Sequence, residues 1–252
     1  MTAADWFAHW FDEDYSLVYA HRDEAEAERA IALALGIAPG LGEGPVLDLG
    51  CGGARHLAVL RRSNPRAFGL DLSAHLLGTA PESLRPWLLR GDMRHLPVRP
   101  GSLAGVTLWF TPFGYFSDAQ NQAVLQGIAR RLAPGGVLVL DFLNAGRLRR
   151  DLEPESVLER EGLRVTIQRS IEAGRVVKRM ELLRLDSGAV RTVTESVRLY
   201  EPWELTGMAA RAGLRLIAER GDYAGDAFQA TASPRWIGFL ERPDRDRRSP
   251  ED

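Results

Sequence analysis

The stretch that decides the fold reads Val46-Leu47-Asp48-Leu49-Gly50-Cys51-Gly52-Gly53-Ala54-Arg55. Its first four residues predict a buried strand, and a helix is predicted to begin near Ala54. The glycines between them predict a tight turn in which backbone can approach a ligand where a Cβ would collide. Because the amides of a helix N-terminus point toward such a turn, the pattern favours a nucleotide-like cofactor.

A second acidic residue supports a cofactor site. Asp71 ends the next predicted strand, in Gly69-Leu70-Asp71-Leu72-Ser73. At that position of a doubly wound fold an acidic side chain accepts hydrogen bonds from ribose hydroxyls. NAD and FAD are disfavoured, because a dinucleotide fingerprint that starts at Gly50 requires glycine at position 55, where this chain has Arg55. The turn instead suits a ligand that lacks phosphates and carries a charged amino-acid end.

Short apolar runs alternate with helical segments beyond this stretch, which predicts a mostly parallel sheet. The predicted strands cover residues 46–49, 67–70, 87–89, 106–110 and 137–142. Between the last two, Ser117 and Gln120 form a capping-box pattern that begins a helix, and Pro134-Gly135-Gly136 ends it. Ahead of the first strand, residues 5–35 are predicted to be helical, with Pro39 and nearby glycines as the stop.

The sequence changes after Asn144, where apolar and polar residues begin to alternate singly. This alternation predicts an antiparallel insertion that ends near Tyr200. The remaining predictions are turns at 173–174 and 186–188, a helix over 204–212 with Pro202 in its first turn and Gly213 at its end, and closing strands at 214–219 and 235–240.

Composition limits the classes of protein to which the chain can belong. With 252 residues, 45% of them hydrophobic, it can bury a sizeable core, which excludes a disordered chain. The formal net charge of -2 disfavours a nucleic-acid partner. A single cysteine, Cys51, the lack of a long apolar run and the absence of a secretory pattern together predict a soluble, cytoplasmic protein without a membrane partner. The five histidines lack metal-ligand spacing, so no metal is expected.

Four motifs resemble, in order and spacing, those of class I S-adenosylmethionine (SAM) dependent methyltransferases. They are the segments 48–53, 69–73 and 91–93, and the Leu132-Ala133-Pro134-Gly135-Gly136 stretch followed by a strand to Asp141. The resemblance implies an α/β, Rossmann-like fold with a doubly wound, mostly parallel seven-stranded sheet. It further implies that SAM lies across the carboxyl ends of the strands and that S-adenosylhomocysteine (SAH) is the product.

The resemblance gives the glycine turn a role toward the methionine part of SAM. Gly50 and Gly52, with Cys51 between them, would pass under it, and Asp48 would shape the turn and favour the ammonium group. Ala54 departs from the glycine of many family members, a mild change because alanine also packs closely.

The adenosine part of SAM is assigned to the next two motifs by the same resemblance. Asp71 would bind the ribose, and Leu72 would pack on the adenine face. Asp92 would accept a hydrogen bond from the adenine amino group, with the Met93 backbone beside it. At the end of the fourth strand, Phe110 and Thr111 would face the sulfonium.

The rest of the chain is similar to small-molecule methyltransferases such as the N,N-dimethyltransferases of deoxyaminosugars. The similarity lies in a helical N-terminus with Tyr15, Tyr19 and Arg22, in the segment 113–116 and in the antiparallel insertion. In those enzymes the N-terminal helix caps the cofactor, so Arg22 or a tyrosine hydroxyl such as that of Tyr19 would contact the SAM carboxylate. In those enzymes the inserted sheet covers the substrate or forms a dimer, so the resemblance implies one of these two roles here, a cover for the acceptor or a homodimer contact.

Four regions are expected from these patterns and from the resemblance. They are an N-terminal helical cap at 1–40, a SAM-binding domain at 41–150 and 201–241, the antiparallel insertion at 151–200 and a disordered tail at 242–252.

No residue stands out as a catalytic base, and the candidates for a catalytic role are Tyr115 and His9. Methyl transfer is an in-line displacement that chiefly requires positioning, and an amine acceptor need only arrive neutral. A small-molecule acceptor with slight preference for N-methylation is therefore expected. Two alternatives stay open, a nucleic-acid or protein methyltransferase and a SAM-binding module without catalysis. The aromatic residues at 113, 115 and 116 either line the acceptor pocket or simply pack.

Overall fold

The computed structural model describes residues 5–19 and 24–244, and within them eleven strands form two sheets. In chain order the strands are β1 (Val46–Leu49), β2 (Ala67–Asp71), β3 (Leu88–Arg90), β4 (Leu103–Leu108), β5 (Leu132–Leu143), β6 (Glu155–Arg160), β7 (Leu163–Glu172), β8 (Arg175–Arg184), β9 (Val190–Arg198), β10 (Arg215–Arg220) and β11 (Arg235–Glu241). The larger sheet has seven strands in the order β10-β11-β5-β4-β1-β2-β3. Its strands are parallel except β11, which is antiparallel to both of its neighbours. The predicted doubly wound fold is confirmed.

Helices cover both faces of this sheet. They are α1 (Glu13–Val18), α2 (Glu24–Ile37), α3 (Arg55–Ser63), α4 (Ala74–Thr79), α5 (Asp118–Arg131), α6 (Ala145–Asp151) and α7 (Pro202–Arg211), with 3-10 turns at Trp6–Ala8, Pro39–Gly42 and Glu82–Trp87. Apolar side chains of α2 and α3 form one core with one face of the sheet, and those of α5 and α7 form a second core with the other face. The carboxyl ends of β1, β2 and β4 stay open at one edge of this layered structure.

Local sequence signals account for the best-predicted helices. Helix α5 begins with the predicted capping box, in which the Ser117 side chain accepts from the Gln120 amide while Gln120 reaches back to the Ser117 amide. Helix α7 begins with Pro202 in its first turn, and Gly213 follows its end with a φ of 85°.

Three predicted elements differ from the structure. Residues 5–35 are not continuously helical, because the chain leaves the Trp6–Ala8 turn and Asp12 caps a new short helix, α1. Strand β4 ends at Leu108, so Trp109 and Phe110, which were predicted as its last residues, lie outside it. Strand β5 begins already at Leu132, with residues 133–136 bulging out of its ladder with β4.

The insertion is a four-stranded antiparallel sheet in the order β6-β7-β8-β9, as predicted in type. Each of its first two turns has two residues with positive φ, Glu161 and Gly162 in one, Ala173 and Gly174 in the other. Two successive left-handed residues produce the twist that joins antiparallel strands. The sheet packs against the N-terminal segment, defined as residues 5–19, where the Trp6 indole donates to the Ser196 carbonyl at 3.1 Å.

The end of the chain is ordered further than predicted. Arg242 lies in the expected tail at 242–252, but its amide donates to the Gly136 carbonyl at 2.8 Å. Residues 245–252 lie outside the described part of the chain. Among the residues that the structure describes, no helix is long and apolar enough to cross a membrane.

Candidate functional site

A cavity of about 350 Å³ opens at the carboxyl ends of β1, β2 and β4. This edge, where the strand order reverses between β1 and β4, is where open α/β sheets bind their ligands. Its wall consists of Phe7, Phe11, Tyr15, Ser16, Tyr19, Gly50, Cys51, Gly52, Gly53, Arg55, His56, Leu70, Asp71, Leu72, Leu76, Thr79, Gly91, Asp92, Met93, Trp109, Phe110, Pro112, Tyr115 and Phe116. Residues from three parts of the sequence, 7–19, 50–93 and 109–116, therefore meet at one site.

The glycine turn after β1 forms the floor of this cavity. Gly50 and Gly52 have φ values of 75° and 53°, a region that favours glycine. A Cβ on Gly50 would also lie 2.8 Å from the Pro112 Cβ. Glycine is thus required at position 50 both by the backbone conformation and by the close approach of Pro112. Ala54, at the N-cap of α3, also has a positive φ of 65°, a strain that packing considerations alone did not anticipate.

Asp48 lies beneath the glycine turn and not on the cavity wall. Its side chain is buried and accepts a hydrogen bond from the Thr107 hydroxyl at 3.0 Å through Oδ1. The other carboxyl oxygen, Oδ2, has no hydrogen-bond partner among the described residues. Burial, with a smaller contribution from the charge of Asp71, raises the pKa of Asp48 to about 7. A nearby positive charge would therefore favour its ionised form.

Asp71 lies on the cavity wall at the end of β2, as predicted. Its carboxylate accepts from the Gly52 amide and from the Ser73 amide, each at 2.8 Å. Burial raises the pKa of Asp71, while these amides oppose the shift. The side chain therefore ties the glycine turn to the start of α4. A carboxylate has acceptor capacity beyond these two bonds, which is available to a ligand.

Leu72, Asp92 and Met93 also line the cavity. The Asp92 carboxylate is already bound by Arg94, whose Nη2 lies 2.6 Å from Oδ2. Partial burial raises the pKa of Asp92, but the hydrogen bonds and charge of Arg94 outweigh it and leave the pKa below its usual range. Arg94, which the sequence did not single out, also lies over the Phe116 ring at 4.8 Å.

The two residues predicted to face the sulfonium are separated by the structure. Phe110 lines the cavity, whereas Thr111 is buried and accepts a hydrogen bond from Arg235 at 2.7 Å. Trp109 and Pro112, which were not predicted as site residues, contribute to the wall in its place. The cause is a sharp bend after β4, since both Phe110 and Thr111 have positive φ.

The N-terminal segment supplies part of the cavity wall, and Tyr19 lies on it. The Tyr19 hydroxyl donates to Glu195 at 2.9 Å, and Lys178 donates to that hydroxyl at 2.5 Å. Arg22 lies outside the described residues. His9 is exposed and does not line the cavity.

Tyr115 is part of an aromatic wall that the sequence predicted only in part. Its ring lies 4.8 Å from that of Trp6 and stacks with Phe11 at 6.1 Å, and Phe7 meets Phe116 edge-on at 5.0 Å. The aromatic residues at the N-terminus fall within the stretch 5–35 that was predicted to be helical. Their spacing gave no sign that they pack against a segment a hundred residues away.

A network behind the cavity was also missed. Asp141, on β5, accepts hydrogen bonds from the Phe110 amide at 2.7 Å and from the Tyr223 hydroxyl at 2.6 Å, and it pairs with Arg235. The one available signal was a charged residue inside an otherwise apolar predicted strand.

Comparison with known proteins finds one matching family model, related sequences and solved structures with a similar fold. Residues 46–136 match the family model described as a methyltransferase domain. The chain is 33% identical over 101 residues to dTDP-3-amino-3,6-dideoxy-alpha-D-glucopyranose N,N-dimethyltransferase of Streptomyces fradiae, a match that covers 38% of each protein. The chain spans less than half the length of the curated relatives it matches.

Two solved structures are similar over almost the whole chain. The CcbJ methyltransferase from Streptomyces caelestis has a TM-score of 0.75 at 19% identity, with 97% of this chain and 100% of that chain covered. The sugar N-methyltransferase KedS8 from Streptoalloteichus has a TM-score of 0.70 at 24% identity, with 92% and 94% covered. At these identities the similarity establishes the fold.

Proposed function

We propose that this chain, whose residues 46–136 match a methyltransferase domain, is a class I methyltransferase that transfers a methyl group from SAM to an amino group of a small molecule. The observation that carries the proposal is the cavity in which the glycine turn, two acidic strand ends and an aromatic wall meet.

The residues of the glycine turn fit the amino-acid end of SAM. Gly50, Cys51 and Gly52 offer backbone without bulky side chains, so a ligand can lie directly on the turn. Asp48 beneath the turn has a buried carboxyl oxygen without a hydrogen-bond partner in the described chain. The positive charge of a ligand ammonium on the turn would stabilise the ionised form of this carboxyl group. Bound here, SAM supplies a methyl group already activated by the sulfonium.

The residues beside the glycine turn, at and after the ends of β2 and β3, fit an adenosine. We propose that Asp71 accepts hydrogen bonds from the ribose hydroxyls, because its carboxylate lies at the wall and keeps acceptor capacity. Leu72 offers an apolar face for the adenine ring. Asp92 and the Met93 backbone would bind the adenine edge, with Asp92 shared between the ligand and Arg94.

The aromatic wall supports an amine as the acceptor. Aromatic faces attract cations, and both the sulfonium and a methylated amine carry positive charge. The reaction needs the neutral amine nitrogen in line with the methyl group: the nitrogen–carbon bond forms as the carbon–sulfur bond breaks, and the amine proton leaves to solvent. We therefore assign Tyr115 a role in holding the acceptor and none to His9, which is exposed away from the cavity.

The relatives narrow the class of acceptor that we propose. Two of the similar proteins act, by their names, on an amino group of a sugar. An amino sugar combines hydroxyl groups with one amine and is the first acceptor class to test. We further propose that the region 1–40 contributes the cover of the cofactor, and that the insertion at 151–200 covers the acceptor or joins two copies of the chain.

Calorimetric titration with SAM and SAH, with NADH as the control, tests the cofactor. We expect both to bind with micromolar affinity and NADH not to bind. A panel of amino sugars and simple amines is then incubated with SAM, and mass spectrometry detects products heavier by one or two methyl groups.

The outcomes separate the proposal from its alternatives. SAM binding without transfer to any acceptor would favour a non-catalytic module. Transfer only to RNA, DNA or protein would replace the small-molecule assignment. Failure to bind SAM or SAH would refute the cofactor itself.

A further inference from the structure

The chain bends sharply where β4 ends. Phe110 and Thr111 are consecutive residues with φ values of 62° and 64°. This left-handed region is disfavoured for residues with a Cβ and most of all for a β-branched residue such as threonine. Backbone strain of this kind persists only where the surroundings hold it, and it occurs most often at ligand sites.

Asp141 holds both strained residues. Its side-chain Oδ2 accepts from the Phe110 amide at 2.7 Å, and its main-chain carbonyl accepts from the Thr111 amide at 3.2 Å. Asp141 itself is completely buried on β5, an interior strand of the seven-stranded sheet. The regular β4–β5 ladder pairs Leu108 with Leu140, so the bend starts where the ladder would otherwise have reached Asp141.

Two side chains from the last part of the chain, those of Arg235 and Tyr223, complete the network around Asp141. Arg235, on β11, pairs with Asp141 Oδ1 and donates from Nη2 to the Thr111 hydroxyl at 2.7 Å. Tyr223 donates to Asp141 Oδ2 at 2.6 Å. Burial, together with the charge of Asp141, raises the pKa of Tyr223, so this hydroxyl keeps its proton and stays a donor.

The bend determines the shape of the cavity. It turns Trp109, Phe110 and Pro112 to the wall and brings Pro112 against the glycine turn at Gly50. The guanidinium of Arg235 also lies 5.1 Å from the centre of the Phe110 ring. The strained residues therefore link the buried network directly to the surface on which cofactor and acceptor would meet.

We propose that Asp141, Arg235 and Tyr223 are positioning residues for methyl transfer, which fix the Phe110–Thr111 bend and thereby align the acceptor with the cofactor. This role rests on the proposed function. It predicts a loss in turnover that exceeds any loss in cofactor binding, because a shift of about 1 Å in alignment can cost about a hundredfold in rate.

The double variant Asp141→Leu/Arg235→Met tests this role. Apolar residues of similar volume often replace a buried ion pair without loss of stability, so the fold should persist while the bend loses its hydrogen bonds. Arg215→Met/Glu241→Leu is the matched control, since it removes an ion pair between β10 and β11 whose residues do not line the cavity. Tyr223→Phe is the milder variant, with one hydrogen bond removed.

We expect the Asp141→Leu/Arg235→Met variant to lose about a hundredfold in turnover, with SAH affinity reduced less than about tenfold. Its crystal structure should have Phe110 and Thr111 outside the left-handed region. Tyr223→Phe should lose about tenfold in turnover, and the control should match the wild type.

The proposal is overturned if a folded double variant keeps wild-type turnover or keeps the bend, or, where that variant does not fold, if Tyr223→Phe turns over like the wild type. A wild-type chain that binds no SAM refutes the proposed function and this role together. A wild type that transfers methyl groups beside an unimpaired variant refutes this role alone.

Discussion

Asp71 combines a structural and a proposed ligand-binding role in one carboxylate. It accepts hydrogen bonds from the backbone amides of Gly52 and Ser73, and so fixes the glycine turn relative to the start of α4. Only acceptor sites left over from these bonds are free for a ribose. The same group would therefore determine both the shape of the site and the affinity of its ligand.

Replacement of Asp71 by alanine is expected to weaken SAM binding by about 10- to 150-fold, the range that a hydrogen bond of about 1.5–3 kcal/mol to a charged group gives. Calorimetry on the folded variant measures this loss. Asp151→Ala, which removes an exposed carboxylate of α6, is the control. Wild-type affinity in the Asp71→Ala variant would refute the ribose assignment.

Asp48 gives the site a dependence on pH. Burial raises its pKa to about 7, so the folded chain holds a proton at pH values where the unfolded chain has lost it. Stability contributed by this group is therefore greatest at low pH and falls as pH rises from about 4 to about 7. SAM affinity should change in the opposite direction, because the ammonium of SAM favours the ionised carboxylate.

We expect the SAM dissociation constant of the wild type to fall as pH rises through about 7. The dissociation constant of Asp48→Asn should depend less on pH, because this variant has no ionisable group at position 48. Titrations at several pH values for both chains measure the difference. Equal pH profiles for the two chains would exclude Asp48 as the linked group.

At the scale of elements, local signals predicted well and long-range contacts were missed. The α5 helix follows from a capping box that lies within four residues of sequence. The end of β4 could not be predicted from local sequence, because Trp109 and Phe110 are apolar and fit a strand. The bend that follows β4 depends on Asp141, about thirty residues later. The prediction of one continuous helix at the N-terminus was wrong for the same reason, since the aromatic residues of the N-terminal segment pack on Tyr115.

The motif residues were brought together largely as predicted, because they follow successive strands whose carboxyl ends meet at one edge. Gly50, Gly52, Asp71 and Asp92 all line the cavity. Thr111 and His9 do not. Asp48 lies below the floor, a distinction that only the packing around the turn reveals.

The β7–β8 turn offers a test of one element by itself. Ala173 has a φ of 48° and precedes Gly174 in a two-residue turn, a position for which asparagine is preferred. Ala173→Asn should stabilise the chain by about 0.5–1 kcal/mol and raise Tm by about 1–4 °C. Differential scanning calorimetry measures the shift. Gly174→Ala should lower Tm, and a decrease for Ala173→Asn would contradict this account of the turn.

At the scale of the whole molecule, the site depends on three regions that are far apart in sequence. The N-terminal segment provides one cavity wall and is itself held by the insertion. Asp14, in α1, pairs with Arg184 at 2.5 Å and with Arg191 at 2.8 Å, and Trp10 donates to Glu195 at 2.5 Å. The insertion therefore supports the cavity through the segment that forms part of its wall.

Replacement of Asp14 by asparagine is expected to loosen this segment, the proposed cover of the cofactor. The side chain of Asp14 is only 12% exposed and pairs with two guanidinium groups, so the variant leaves Arg184 without this ion pair and Arg191 with Asp12 alone. Dissociation of SAH should become about tenfold faster, with a smaller change in the association rate, because the cover must open before the ligand leaves.

Stopped-flow tryptophan fluorescence of SAH release measures this rate. Glu159→Gln is the matched control, since it removes a carboxylate that pairs with Arg164 within the β6–β7 hairpin and does not contact the N-terminal segment. Higher ionic strength should speed release from the wild type more than from Asp14→Asn, because salt screens an ion pair that the variant lacks. If SAH leaves Asp14→Asn and the wild type at the same rate, the N-terminal segment does not control ligand exit.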